Sequence, residues 1–428
     1  YNQACYTPGA GETGDATETI ARERVRHYSY PALALGASAY FATDINASGL
    51  LDLILRNPSW SYSKVTSQAP GYSAAAQRHS AHPDVAGAEV WIQQTYAMGR
   101  NDYWLGFAGK PWVSFANPNA PMTSSLNVVR YAGADRYATA AAVSAASFGP
   151  GVSVAYVATG TNFPDALAGS AAAAQKGGPV LLVSAGGIPA ATAGELARLA
   201  PAQIVVLGGE GVVSEGIRQA LVPYATSGVV RRLAGANRFE TAAAISADTF
   251  APGVSVAYVA TGANFPDALA GTPPAGMAGG PVLLVNKSSV PSATSAELAR
   301  LQPGRIAILG ASGVVDDGVA AQLDAYTAGT VTRLAGADRY STAVAVSQAN
   351  FSTAATVFIA TGANFPDALA GGPVAGIGGS PLLLVPGGWV PSVVQQEMLR
   401  LHPSTLIVLG STGVVSDAAV DQLRQLFP

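Results

Sequence analysis

The sequence predicts an α/β protein: three tandem units, each a small parallel sheet with helices on both faces, preceded by a small α+β domain. Three observations carry this. The phrase "ATGTNFPDALAG" at 158–169 returns as "ATGANFPDALAG" at 260–271 and again at 360–371. Each copy belongs to a longer set of matching segments in the same order, the signature of an internal repeat. Within each copy, short apolar runs without alternation ("VAYVAT", "PVLLV", "QIVVLG") are separated by Ala-rich stretches of helical spacing, such as Ala140–Phe148 and Glu195–Leu199. Runs of that kind suit strands buried on both faces, and the alternating order calls for a parallel sheet with crossover helices.

The units open with "VVRYAGADRYATA", "VVRRLAGANRFETA" and "VTRLAGADRYSTA" and close on "QIVVLGGEGVVS", "RIAILGASGVVD" and "TLIVLGSTGVVS". The expected boundaries are 1–123, 124–226, 227–328 and 329–428, with the Pro-, Asn- and Ser-rich stretch 116–125 as a linker. Only a short segment separates "GIRQAL" from "RLAGANRF". Units so tethered pack side by side at high effective concentration. One repeated contact between them closes if each step turns about a third of a circle. The expectation is a pseudo-threefold, triangular block.

Composition excludes several classes. Of 428 residues only 11% are charged and the net charge is −3, with no basic cluster, which argues against a nucleic-acid partner. No apolar run reaches the ~18–20 residues of a membrane-spanning helix, so membrane insertion is not expected. Cys5 is the single cysteine, which excludes an intrachain disulfide and a multi-cysteine metal site. "LGGEG" lacks the Lys-Ser/Thr of a phosphate loop. His79 and His82 are spaced for a helical metal pair, but Pro83 follows and no third ligand stands out. No metal, cofactor or catalytic constellation is assigned. The chain does not begin with Met, and its polar start reads as that of a secreted product whose signal peptide has been removed.

The repeated phrase lies where a strand ends and a helix begins. Asn162 reads as the helix cap, Pro164 suits the first turn, and Asp165 favours the positive end of the helix dipole. Gly169 lets the helix approach the sheet. Arg136, Arg238 and Arg339, in "AGxxRxxT", recur in step with Asp165, Asp267 and Asp367. Two readings stay open: a structural Arg–Asp pair inside each unit, or a polar ligand site of Arg, Asn and Asp at the strand ends. They overlap, because a paired guanidinium keeps spare donors.

Together "RYAGADRYATA", "ATGTNFPDALAG", "GGPVLLV" and "IVVLGG" resemble the cell wall binding repeat (type 2) of Gram-positive bacteria, in all three units. The resemblance implies a secreted surface protein held non-covalently to the wall through an anionic secondary polymer, with a triangular three-unit block. It also implies a polymer-binding region at the "PILL"-like segments, here Pro179, Leu181, Leu182, Pro281, Leu283, Leu284, Pro381, Leu383 and Leu384. Arg136, Asn162, Asp165, Arg238, Asn264, Asp267, Arg339, Asn364 and Asp367 join them as candidates. The repeat region carries 15 Lys and Arg against 17 Asp and Glu. Bulk charge therefore cannot hold a polyanion, and local Arg groups must do so.

Residues 1–123 hold four of the five tryptophans (Trp60, Trp91, Trp104, Trp112). The segments 47–58 and 85–98 read as helices, and 103–116 as a hairpin turning near Gly109-Lys110-Pro111. The aromatics read as core. Two rival functions accompany the anchoring reading: a self-assembling surface-layer or filament subunit, and a wall-active hydrolase housed in residues 1–123.

Overall fold

The structure is a computed structural model that describes residues 39–43, 77–81, 88–97, 100–109 and 126–427. The chain divides into two compact units, with the break after Ser125. In the first, Ala39–Thr43 (β1), Gln77–Ala81 (β2), Glu89–Ala97 (β3) and Arg100–Gly109 (β4) form an antiparallel sheet in the order β1-β4-β3-β2. The segment read as a helix over 85–98 is thus a strand over 89–97, and its hairpin partner is β4. The Val90–Ile92 run is buried, and sheet pairing outweighed the weak helical spacing. Trp91 is core, as expected, and its indole N–H donates to Glu89. Burial raises the Glu89 carboxyl to about 7, against the pull of that bond. His79 lies on β2, not on a helix. Segment 47–58, the hairpin beyond Gly109, linker 116–125, Cys5 and His82 lie outside the described residues.

In the second unit the strands are Asn127–Tyr131 (β5), Val154–Thr159 (β6), Val180–Val183 (β7), Gln203–Leu207 (β8), Val229–Leu233 (β9), Ala257–Thr261 (β10), Val282–Val285 (β11), Ile306–Leu309 (β12), Val331–Leu334 (β13), Thr356–Thr361 (β14), Leu382–Val385 (β15) and Thr405–Leu409 (β16). They make three four-stranded parallel sheets, ordered β7-β6-β8-β9, β11-β10-β12-β13 and β15-β14-β16-β5. The fourth strand of the first two sheets therefore comes from the next repeat in sequence. The third sheet has no following repeat, and β5, from the start of the first, completes it.

The two faces of a strand bury different layers, because side chains alternate across a sheet. In the first repeat Tyr156, Ala158 and Leu182 join a core shared by all three repeats. Ala155, Val157, Leu181 and Val183 pack outward against Leu196, Ile217 and Leu221. The helices of the repeated phrase, Pro164–Lys176, Pro266–Met277 and Pro366–Ile377, pack pairwise around the centre. Small residues allow this. A Cβ on Gly169 would stand 2.1 Å from Leu207 Cδ1, and the equivalent positions Gly271 and Gly371 are as tight. At the join, Ser170 Oγ donates to the Leu369 carbonyl at 3.1 Å. On the axis Phe163, Phe265 and Phe365 meet with ring centroids 5.7, 6.0 and 5.6 Å apart. That near-equilateral triangle is the pseudo-threefold arrangement expected from the short linkers.

Candidate functional site

Each repeat begins with a strand and an "AGxxR" loop and later presents the C-terminal ends of its own central strands. Because the opening strand is lent to the preceding sheet, the loop of one repeat meets the strand ends of the one before it. The seams between repeats, not the repeats themselves, are where the polar residues that recur in all three copies converge.

Arg136, Arg238 and Arg339 start helices capped by Asp135, Asn237 and Asp338, whose side chains accept backbone N–H bonds from the first turn. Each guanidinium donates to a glycine carbonyl of its own repeat, at Gly160, Gly262 and Gly362. Arg136 Cζ lies 5.9 Å from the ring centre of Phe365, and Arg238 Cζ 5.9 Å from that of Phe163. The planar cation thus rests on the aromatic residue of the preceding repeat.

The acidic partners follow the same shift by one repeat. Asp165 feels Arg238, Asp267 feels Arg339, and Asp367 feels Arg136. The expected pairing of each Arg with the Asp of its own phrase is therefore wrong. Strand exchange places the Arg-bearing loop on the neighbouring sheet. These pairs are also not contact ion pairs, since none occurs among the ion pairs of the described residues. Burial pushes all three carboxyls above the usual aspartate range. The Thr342 and Thr139 hydroxyls, bonded to Asp267 and Asp367, and the facing arginines oppose that shift. Thr139 Oγ1 also accepts the Gly133 N–H at 3.1 Å, which ties the loop to its helix. Room for the carboxylate comes from the strand-end glycines. Gly208, Gly310 and Gly410 have φ of +99°, +105° and +101°. A Cβ there would stand 2.4–2.6 Å from the Asp Oδ2 of the same repeat.

Asn162, Asn264 and Asn364 are exposed, and each Oδ1 accepts the N–H of the following Phe at 2.9–3.0 Å. The helix cap itself is the Phe, one residue later than expected, because the Pro after it occupies the first helical position. Between the third and first repeats these groups enclose a cleft of about 400 Å³. Asp135, Arg136 and Thr139 line one wall, and Thr361, Asn364, Asp367 and Ser411 the other.

The "PILL"-like segments do not contribute. Leu181, Leu182, Leu283, Leu284, Leu383 and Leu384 are 0% exposed, and Pro179, Pro281 and Pro381 are buried. These strands lie beneath layers on both faces, so their side chains offer no surface to a ligand.

A second arginine series went unread in the sequence. Arg130 donates to the carbonyls of Gly410 (2.9 Å) and Val415 (2.8 Å), and pairs with Asp417. Arg232 does the same at Gly208 and Val213, and Arg333 at Gly310 and Asp317. These side chains fasten each opening strand to the terminal loop of the previous repeat. Their signal was present: an Arg stands three residues before the Gly of each "AGxxR" segment.

The sequence profile of the family described as Cell wall binding domain 2 matches residues 130–218, 232–320 and 333–420. The chain is 27% identical over 298 residues to the N-acetylmuramoyl-L-alanine amidase LytC of Bacillus subtilis (strain 168), covering 70% of this chain and 58% of that protein. It is 28% identical over 298 residues to the amidase enhancer of the same organism, covering 70% of this chain and 40% of that protein. The chain thus spans only part of these relatives. Among solved structures, Cwp6 from Clostridium difficile is similar with a TM-score of 0.64 at 22% identity, covering 79% of this chain and 57% of that one. Cwp8 from Clostridium difficile is similar with a TM-score of 0.64 at 20% identity, covering 96% of this chain and 66% of that one.

Proposed function

Because the chain belongs to the Cell wall binding domain 2 family, we propose that its three repeats hold it to the Gram-positive cell wall by gripping an anionic secondary wall polymer at the seams between repeats. The protein is wall-associated, at the cell wall or cell surface. The finer reading adds that it is secreted and that residues 1–123 are displayed as an effector.

One observation supports this reading above the rest. The ring repeats one polar seam, each with a guanidinium held at strand C-terminal ends, where ligands of open α/β sheets bind. The guanidinium uses one donor on a glycine carbonyl and keeps others for an anionic group. Residues Leu126–Phe427 are net acidic, so attraction is local, from an Arg preorganised over a Phe. A repetitive polymer engaging more than one seam gains avidity without any single strong contact.

The test is co-sedimentation with purified walls before and after extraction of the secondary polymer. Retention on intact walls and loss on extracted walls is the expected result. Equal retention on both would exclude the polymer as the receptor. Replacing Arg136, Arg238 and Arg339 together by Gln should release the protein from intact walls while leaving it folded.

A further inference from the structure

The three seams share a plan but are not chemically identical, and one side chain sets the third apart. After the third-repeat strand β15 the chain runs Pro386-Gly387-Gly388-Trp389-Val390-Pro391. The matching positions of Trp389 are Gly187 and Ser289, neither of them aromatic. Trp389 is 54% exposed, the most exposed large hydrophobic side chain among the described residues. It is also the one tryptophan of the repeat region.

The loop that carries this indole is held beside a cleft. Gly387 lines the cleft between the third and first repeats. Two residues of chain reach at most about 7 Å, so the Trp389 Cα stands within that distance of Gly387, next to the lining and outside it. The loop is pinned on both sides. The Gly387 carbonyl accepts the Ser416 N–H at 2.8 Å, and the Val390 N–H donates to Gln422 Oε1 at 2.9 Å. The Val390 carbonyl accepts from Gln395 Nε2 at 2.8 Å, and Val390 itself is buried. A rigid loop therefore presents a large apolar face to water, with no ring or hydrogen-bond partner for the indole among the described residues. Tryptophan is enriched at binding interfaces, where its large apolar face and its single N–H donor can both be used.

Resting on the wall-polymer reading, we propose that the cleft between the third and first repeats is a saccharide subsite in which Trp389 stacks on a sugar ring of the polymer. A pyranose ring has an apolar C–H face and a hydroxyl-bearing edge. The electron-rich face of an indole complements polarised C–H groups. The cleft supplies what the edge needs: the Asp367 carboxylate and the Thr361 and Ser411 hydroxyls to accept or exchange hydrogen bonds, and the Asn364 amide to donate. Arg136 takes the anionic substituent. Asp135 and Asp367 together outnumber Arg136 in this lining, which suits a hydroxyl-rich unit better than a bare polyphosphate.

Two measurements on the full chain test this. In wall co-sedimentation, Trp389→Ala should weaken retention by at least about fivefold, the loss of an aromatic anchor. Trp389→Phe should keep most of it, and Ser289→Ala should change nothing. Soluble polymer released from those walls should alter the emission of the unaltered chain but not of Trp389→Phe. Poly(glycerol phosphate), which has the anion but no sugar ring, should alter neither. Failure of the unaltered chain to bind walls overturns the wall reading and the subsite together. Retention indifferent to Trp389→Ala, or an equal response to poly(glycerol phosphate), overturns the stacking subsite alone.

Discussion

Phe163 and Phe365, from the first and third repeats, meet edge to face with ring centroids 6.0 Å apart. Phe265 touches both, so the ring of repeats is closed at its centre by one residue from each copy of the same phrase.

That closure has a measurable strength. Phe163→Leu keeps apolar bulk but removes two aromatic pairs, each contributing ~0.5–1.5 kcal/mol. We expect a loss of about 1–3 kcal/mol in denaturant unfolding of residues 126–427, summed over those two pairs. A change within experimental error would show that the triangle is a consequence of packing rather than a contributor to it.

The exchanged strand makes a different prediction. β5 completes the third sheet, and the Asn127 N–H donates to the Ser404 carbonyl at 3.0 Å. Proline within β5 removes a ladder donor and leaves β16 as an open edge. Val129→Pro should therefore speed amide exchange in Thr405–Leu409, nearly the whole repeat region away in sequence, and promote association of chains. Unchanged exchange in β16 would contradict the pairing.

Acid should act on the seams with an unusual sign. Burial raises the Asp165, Asp267 and Asp367 carboxyls above the ordinary 3.8. In that window the folded state binds more protons than the unfolded chain, so these groups make stability fall as pH rises. Their penalty is complete above the raised value and absent well below 3.8. Asp165→Asn, Asp267→Asn and Asp367→Asn combined should flatten this part of the pH–stability profile and leave the protein at least as stable at neutral pH. Melting curves across mildly acidic pH check it. A triple variant with the unaltered slope would rule it out.

The two arginine series should separate cleanly. Arg232→Ala removes charged donors from the Gly208 and Val213 carbonyls. Hydrogen bonds to charged groups contribute ~1.5–3 kcal/mol, so this variant should melt markedly lower. Arg238→Lys keeps a charge but loses the planar fork. It should melt near the unaltered chain and be retained less well on walls. The reverse pattern would exchange the roles of the two series.

Much was legible in the residues alone. The number of repeats, the buried strands and the helices within each repeat are local properties, set by the spacing of apolar side chains. Gly169 could be read as a close-approach position because the reason lies in its own helix and sheet. The N-terminal strand Glu89–Ala97 was misread as a helix, since a short apolar run carries both periodicities and sheet partners decide between them.

What the sequence could not determine is which copy touches which. Three nearly identical phrases carry no label, so an Arg that recurs in step with an Asp fits a pair inside one repeat as well as a pair across two. Tertiary structure decided it. Each opening strand completes the preceding sheet, which carries Arg238 to Asp165 and, by closure, Arg136 to Asp367. The physical reason is that periodicity encodes which face of an element is apolar, whereas partner choice among equivalent edges is settled by the rotation that closes the ring.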